Sequence, residues 1–144
     1  MIAALALAPE IEPGVLGEPR NVSAVHLTLL KPDGSDKAEV EKPKLFVGRP
    51  LGRPIVLSTV GDTLALGVVE GIEDGLSLCT AFERLGVWAA GSGGCLPGLA
   101  DSIPDYIESV TIWAHPDNTG QNGARELAEL LDARGVEVFI EGMS

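Results

Sequence analysis

The chain has 144 residues, 45% of them hydrophobic and 22% charged, with a formal net charge of −11. That length suits one ordinary domain with a real core and excludes a large multidomain enzyme, while the apolar fraction argues against disorder. No apolar run approaches the ~20 residues that span a bilayer, and two cysteines (Cys79, Cys95) with two histidines (His26, His115) give neither a disulfide framework nor a zinc-finger spacing.

The opening stretch, Met1 to Ala8, is apolar but short. It has no basic n-region and meets Pro9 at once, which argues against a signal peptide. A cytoplasmic location with no membrane association is expected. Residues 1–53 carry seven acids and seven bases, whereas residues 54–144 carry fourteen acids against Arg84, Arg125 and Arg134. The C-terminal part therefore repels phosphate, and autonomous nucleic-acid binding by it is not expected unless a bound divalent cation inverts the local charge.

Residues 1–60 hold seven of the ten prolines and read as short strands and turns. Val22 to Leu30 has strand composition, and Pro32-Asp33-Gly34-Ser35 is turn chemistry. Lys44 to Val47 and Pro54 to Leu57 are further short strands, kept off a sheet centre by Pro50 and Pro54. Segment 31–53, with six bases and four acids, reads as a solvated loop or a lysine-rich edge strand. His26 within the strand pattern reads as structural.

From Thr63 the rhythm becomes strand, helix, strand, helix. Leu64 to Val69 is a strand buried on both faces. Ile72, Leu76, Cys79 and Phe82 recur at helical spacing, predicting an amphipathic helix that ends near Gly86. Val87 to Ala90 is a short strand followed by the loop Gly91-Ser92-Gly93-Gly94, and Val110 to Ala114 is another buried strand. Ala124, Leu127, Ala128 and Leu131 form one helical face that Gly135 terminates, and Val136 to Glu141 alternates as an edge strand does. The pattern predicts an α/β fold with a mainly parallel sheet flanked by helices. A small β-rich N-terminal region, residues 1–60, packs on this core, residues 61–144.

Ligands of open α/β sheets bind outside the carboxyl ends of the strands. Glu70-Gly71-Ile72-Glu73-Asp74 and His115-Pro116-Asp117-Asn118 stand at two such ends. If their strands are parallel neighbours, Glu70 and Asp117 face one cleft, and Asp74 in the first helical turn faces it too. Clustered carboxylates of this kind suit Mg²⁺. The plainer readings stay open: acids in a first turn answer the helix dipole, and Asp117 and Asn118 are good caps. Glu70 is harder to explain away, since a carboxylate closing an apolar strand costs desolvation unless something compensates it. The glycine-rich loop lacks the Walker ending and the dinucleotide fingerprint. Cys79 reads as a small core hydrophobe. Trp88 and Trp113, on core strands, are poor candidates for base stacking.

Thr63 to Ile140 resembles a Toprim domain, the catalytic fold shared by bacterial-type primases, topoisomerases and some nucleases. The family's first motif, a hydrophobic strand ending in Glu-Gly-x-x-Asp, stands here as LALGVVEGIEDGLSL, with Glu70, Gly71 and Asp74 matching. Its second, a strand ending in Asp-x-Asp with a glycine soon after, stands as VTIWAHPDNTGQNGARELAELLDARGVEV, with Asp117 and Gly120 matching. The chain is most similar to the compact Toprim domain of phage- and plasmid-type primase or primase-helicase proteins. Upstream, AVHLTLLKPDG and KLFVGRPLGRPI resemble the segment that precedes it there.

The resemblance implies a role in primase-type DNA replication, as a nucleotidyltransferase or phosphotransferase if active. Glu70 would be general acid/base or metal ligand, Asp74 and Asp117 would hold Mg²⁺ (or Mn²⁺), and Ser92 and Gly93 would lie beside the substrate. Nucleic acid or nucleotides would be the partners, reached through the metal, together with a helicase or another primase subunit, because primer synthesis by this chain alone is not expected. The chain departs from the family where the first aspartate of Asp-x-Asp should stand: it has His115, which removes a negative charge and a hard oxygen ligand. Imidazole suits softer metals than magnesium. The departure keeps one rival in play, a non-catalytic Toprim-fold binding or scaffold module in which His115 marks a lost site; a Toprim nuclease is the other, since some members of the family hydrolyse nucleic acid.

Overall fold

Proline and turn chemistry break the first half of the chain into short strands. The computed structural model describes residues 1–143. It places β1 at Ile2–Leu7, β2 at Glu10–Glu12, β3 at Val15–Leu16, β4 at Arg20–Thr28, β5 at Lys44–Gly48 and β6 at Ile55–Ser58. The second half follows as β7 (Ala65–Val69), α1 (Ile72–Ala81), β8 (Gly86–Ala89), β9 (Ser109–Ala114), α2 (Asn118–Asp132) and β10 (Glu137–Gly142).

The main sheet has the order β10-β9-β7-β8-β6. Its first four strands are parallel, and β6 runs antiparallel to β8 at the edge. Both faces are covered, which is why β7 and β8 read as unbroken apolar runs. On one face α2 and the 3₁₀ turns after β8 enclose Leu66, Val68, Leu96, Leu99, Ile112, Leu127 and Leu131. On the other, α1 and part of the N-terminal sheet enclose Val69, Ile72, Leu78, Val87, Leu5 and Ala24. The mainly parallel α/β architecture is the one the sequence predicts. No helix among the described residues is long and apolar enough to cross a membrane.

A second sheet has the order β1-β4-β5, all antiparallel. Its first strand, β1, is absent from the sequence-based expectation, which reads Met1 to Ala8 only as a short apolar opening. The strand exists because β4 pairs with it from Ile2↔Leu27 to Leu5↔Ala24, and the Ala6 amide donates to the Pro54 carbonyl at 3.0 Å. The lysine-bearing strand β5 is an edge strand. His26 on β4 is buried, with Phe46 set edge-on at 5.0 Å between ring centroids.

The face of α1 needs correcting. Ile72, Gly75 and Leu78 are its buried residues, while Leu76 and Phe82 are each 50% exposed. The cause is Gly75. A side chain there would overlap the Leu57 methyl group, so the helix lies against the sheet at its one residue without a side chain, and the buried stripe turns toward it. The helix also stops earlier than expected, at Ala81. Phe82 takes a non-helical conformation and its ring lies 6.0 Å from that of Trp113.

Candidate metal centre at the carboxyl rim

Glu70 and His115 are the first residues beyond β7 and the second of its parallel neighbours, β9. The two strands are hydrogen-bonded in register, with Val69 opposite Trp113. Adjacent parallel strands therefore deliver both residues to one end of the sheet. Glu70 is only 8% exposed. Its Oε1 accepts the backbone N–H of His115 at 3.0 Å, whereas no protein donor among the described residues reaches Oε2. The His115 amide compensates part of the cost of burying this carboxylate, and Oε2 is left available for a further partner.

Two glycines shape the space around it. A side chain at Gly120 would overlap Glu70 Oε1, and one at Gly93 would come within 3.0 Å of Oε2 and of the Gly120 backbone. The loop after β8 thus lies directly against the first turn of α2, with the Glu70 carboxylate between them. Asp117 caps that helix: its Oδ1 accepts the Gly120 N–H at 2.7 Å. The capping reading and the site reading of Asp117 are compatible, since capping engages one oxygen and leaves Oδ2 without a protein donor among the described residues.

One ligand atom each from Glu70, His115 and Asp117 lies within 4.8 Å of the others. Asp74 is not in that group. Its Oδ2 is 2.6 Å from His115 Nε2, so the carboxylate meets the imidazole. This hydrogen bond raises the His115 pKa above its ordinary value. Burial opposes the rise, and the charges of Glu70, Asp74 and Asp117 add to it. Gly93 lies beside the centre, while the Ser92 hydroxyl donates to Cys95 Sγ at 3.2 Å.

Sequence reasoning misses two features of this rim. The Asp74–His115 contact joins residues 41 positions apart on different elements, so no local spacing announces it. The second is a clasp from the N-terminal region: Lys37 and Lys44 each place Nζ 3.1 Å from a Glu73 carboxylate oxygen. Phe46 lies over Gly91, where a side chain would meet its ring. The basic composition of segment 31–53 hints at the clasp but does not name its partner.

The donor set is one that a divalent cation fits: two carboxylates with a spare oxygen each and an imidazole, gathered where a methyl group at Gly93 or Gly120 would crowd them. A model of the Toprim domain matches residues 65–142, more than half of the chain. Among solved structures the chain is similar to a DNA primase domain from Pseudomonas aeruginosa. The identity is 13% and the TM-score 0.52, over 96% of this chain and 49% of that one. The likeness is one of fold, and this chain spans about half of that chain's length. No curated protein sequence matches. Strands β7 to β10, the two helices between them and the acidic rim they build all lie within the matched residues, and the chain belongs to the Toprim family.

Proposed function

We propose that this chain serves primase-type nucleic-acid metabolism, by metal-assisted phosphoryl transfer at the Glu70–His115–Asp117 rim. The observation that carries the reading is the convergence of three ligand-bearing side chains within 4.8 Å at the carboxyl end of a parallel sheet, where such folds bind ligands. A divalent cation held there, Mg²⁺ or Mn²⁺, would position phosphate oxygens and offset the charge that develops on them. Glu70 does two things. Its Oε1 is fixed by the His115 amide, and its free Oε2 is available to hold a proton or ligate the ion. Asp117 offers Oδ2 while its other oxygen holds the start of α2 in place. Asp74 lends its charge through His115. The nucleic acid would approach through the cation, because the C-terminal body is acidic. A helicase or a further primase subunit is the partner this reading calls for.

A second reading rests on the 2.6 Å contact between His115 and Asp74. A protonated imidazole there supplies a fixed positive charge, and the rim would then be a binding module without chemistry. A single assay separates the two. The chain is incubated with nucleoside triphosphates and single-stranded DNA, and separately with duplex DNA, in Mg²⁺ or Mn²⁺. Addition of a nucleotide to an existing 3′ end, which asks less of the chain than starting a primer, or cleavage if the chemistry is that of a nuclease, is expected with the wild-type chain and not with Glu70→Gln, at unchanged melting temperature. Equal product from both proteins removes Glu70 from the reaction, and no product from either leaves the binding module.

A further inference from the structure

The rim described above is not an all-oxygen site. We infer that it selects a divalent transition metal over Mg²⁺, with His115 as a nitrogen ligand beside Glu70 and Asp117, and with Asp74 as the residue that positions the imidazole. The inference deepens the metal-dependent reading and rests on it.

Three observations lead there. First, the trio whose ligand atoms converge is Glu70, His115 and Asp117, and Asp74 stands outside it. Second, Asp74 Oδ2 sits 2.6 Å from His115 Nε2. An ionised carboxylate only accepts, so Nε2 donates, and in the neutral ring the second nitrogen keeps the lone pair. This is the arrangement in which a carboxylate fixes the tautomer and orientation of a ligating histidine and raises its basicity. Third, Glu70 is nine-tenths buried and offers Oε2, which has no protein donor among the described residues. Asp117 keeps Oδ2 free because Oδ1 is engaged by the Gly120 amide.

With Nε2 engaged by Asp74, the donors the proposal assigns are two carboxylate oxygens and the imidazole Nδ1. Mg²⁺ is hard and takes oxygen, whereas Mn²⁺, Fe²⁺, Co²⁺ and Zn²⁺ accept imidazole with affinities that rise along the series to the right. Asp74 does not restore the lost oxygen, because its charge is turned toward the ring.

The test uses the whole chain and metal alone as the probe. Mn²⁺ and Co²⁺ are titrated directly, by EPR and by visible absorption, and Mg²⁺ by competition against Mn²⁺. Wild type is expected to bind Mn²⁺ at least tenfold more tightly than Mg²⁺, and bound Mn²⁺ should show coupling to a ligand nitrogen. In His115→Asp that coupling disappears and the Mn²⁺-to-Mg²⁺ ratio falls at least tenfold. His115→Gln keeps a donor for Asp74 and loses the coupling too, which covers the case in which the Asp variant folds poorly. Asp74→Asn should melt at the wild-type temperature and lower Mn²⁺ affinity by about 10–100-fold, with a changed nitrogen signal.

Similar ratios in wild type and His115→Asp, absence of nitrogen coupling, or no binding of any of the three metals would overturn the inference. Binding of both metals through oxygen alone sinks it and leaves the proposed function standing. A nitrogen-coupled Mn²⁺ site in a chain that forms no product with any nucleic acid does the reverse.

Discussion

The five-stranded and three-stranded sheets are held in place by different means. In the first, β7 and β8 are buried along almost their whole length because α1 and α2 cover opposite faces. In the second, four of the five residues of β5 are exposed, and Val47 is 58% exposed. The carboxyl rim is thus built on a core of close-packed side chains, whereas the N-terminal sheet joins that core along one face, at Leu5 and Ala24, and is otherwise tied down by the Ala6–Pro54 backbone bond, Phe46 over Gly91, and the two lysines on Glu73. The contrast predicts very unequal responses to the same chemical change. Leu66→Ala, at a fully buried position, should cost about 2–5 kcal/mol by leaving a cavity. Val47→Ala should stay within about 0.5 kcal/mol. Denaturant unfolding reads both, and comparable losses would erase the distinction.

The rim itself is the next place to press. Gly120→Ala puts a methyl group into the Glu70 carboxylate. Overpacking of this kind costs about 1–3 kcal/mol, and either the Glu70 carboxylate leaves the His115 amide or the start of α2, with Asp117, moves away from it. Lower melting temperature and weaker Mn²⁺ binding are expected together. Gly94→Ala in the neighbouring loop is the control, since a side chain there meets nothing within 4 Å, and it should change neither. If Gly120→Ala binds metal as wild type does, the glycine is not part of the cradle.

Both results bear on what a sequence can disclose. The parallel sheet was legible because burial on both faces forces continuous apolar runs such as Leu66 to Val69, and because Glu70 and His115 end two of those runs. The convergence of Glu70 and Asp117 follows once β7 and β9 are neighbours, an adjacency that the motif order implies. The stripe on α1 was not legible in the same way. Periodicity weighs side chains, and it passes over Gly75, whose missing side chain is what brings the helix to the sheet. Strand β1 was hidden because a short apolar opening has no pattern of its own until β4 pairs with it. The Asp74–His115 contact and the lysine clasp depend on tertiary placement, which residue spacing does not encode.

The clasp offers the smallest effect and the finest probe of how the two sheets are joined. Partial burial pushes the Glu73 carboxyl up, but its own backbone amide and the ammonium groups of Lys37 and Lys44 outweigh that and hold it at about 2, against an ordinary value of 4.5. A carboxyl whose folded pKa is depressed contributes stability that is fully present above its unfolded value and is lost as pH falls through the folded one. The contribution should therefore be intact at pH 6 and disappear between about pH 4.5 and 2. Because the pair is half-exposed, solvent screening reduces it to on the order of 1 kcal/mol. Glu73→Gln should thus be less stable than wild type by about that amount at pH 6, with the gap closing by pH 2. The loss should appear as faster hydrogen exchange in β4 and β5 and not in β7 or β9, since only the N-terminal sheet depends on the lysines. Uniform acceleration across both sheets would mean that the clasp supports the whole molecule, and that the three-stranded sheet is as much a part of its core as the five-stranded one.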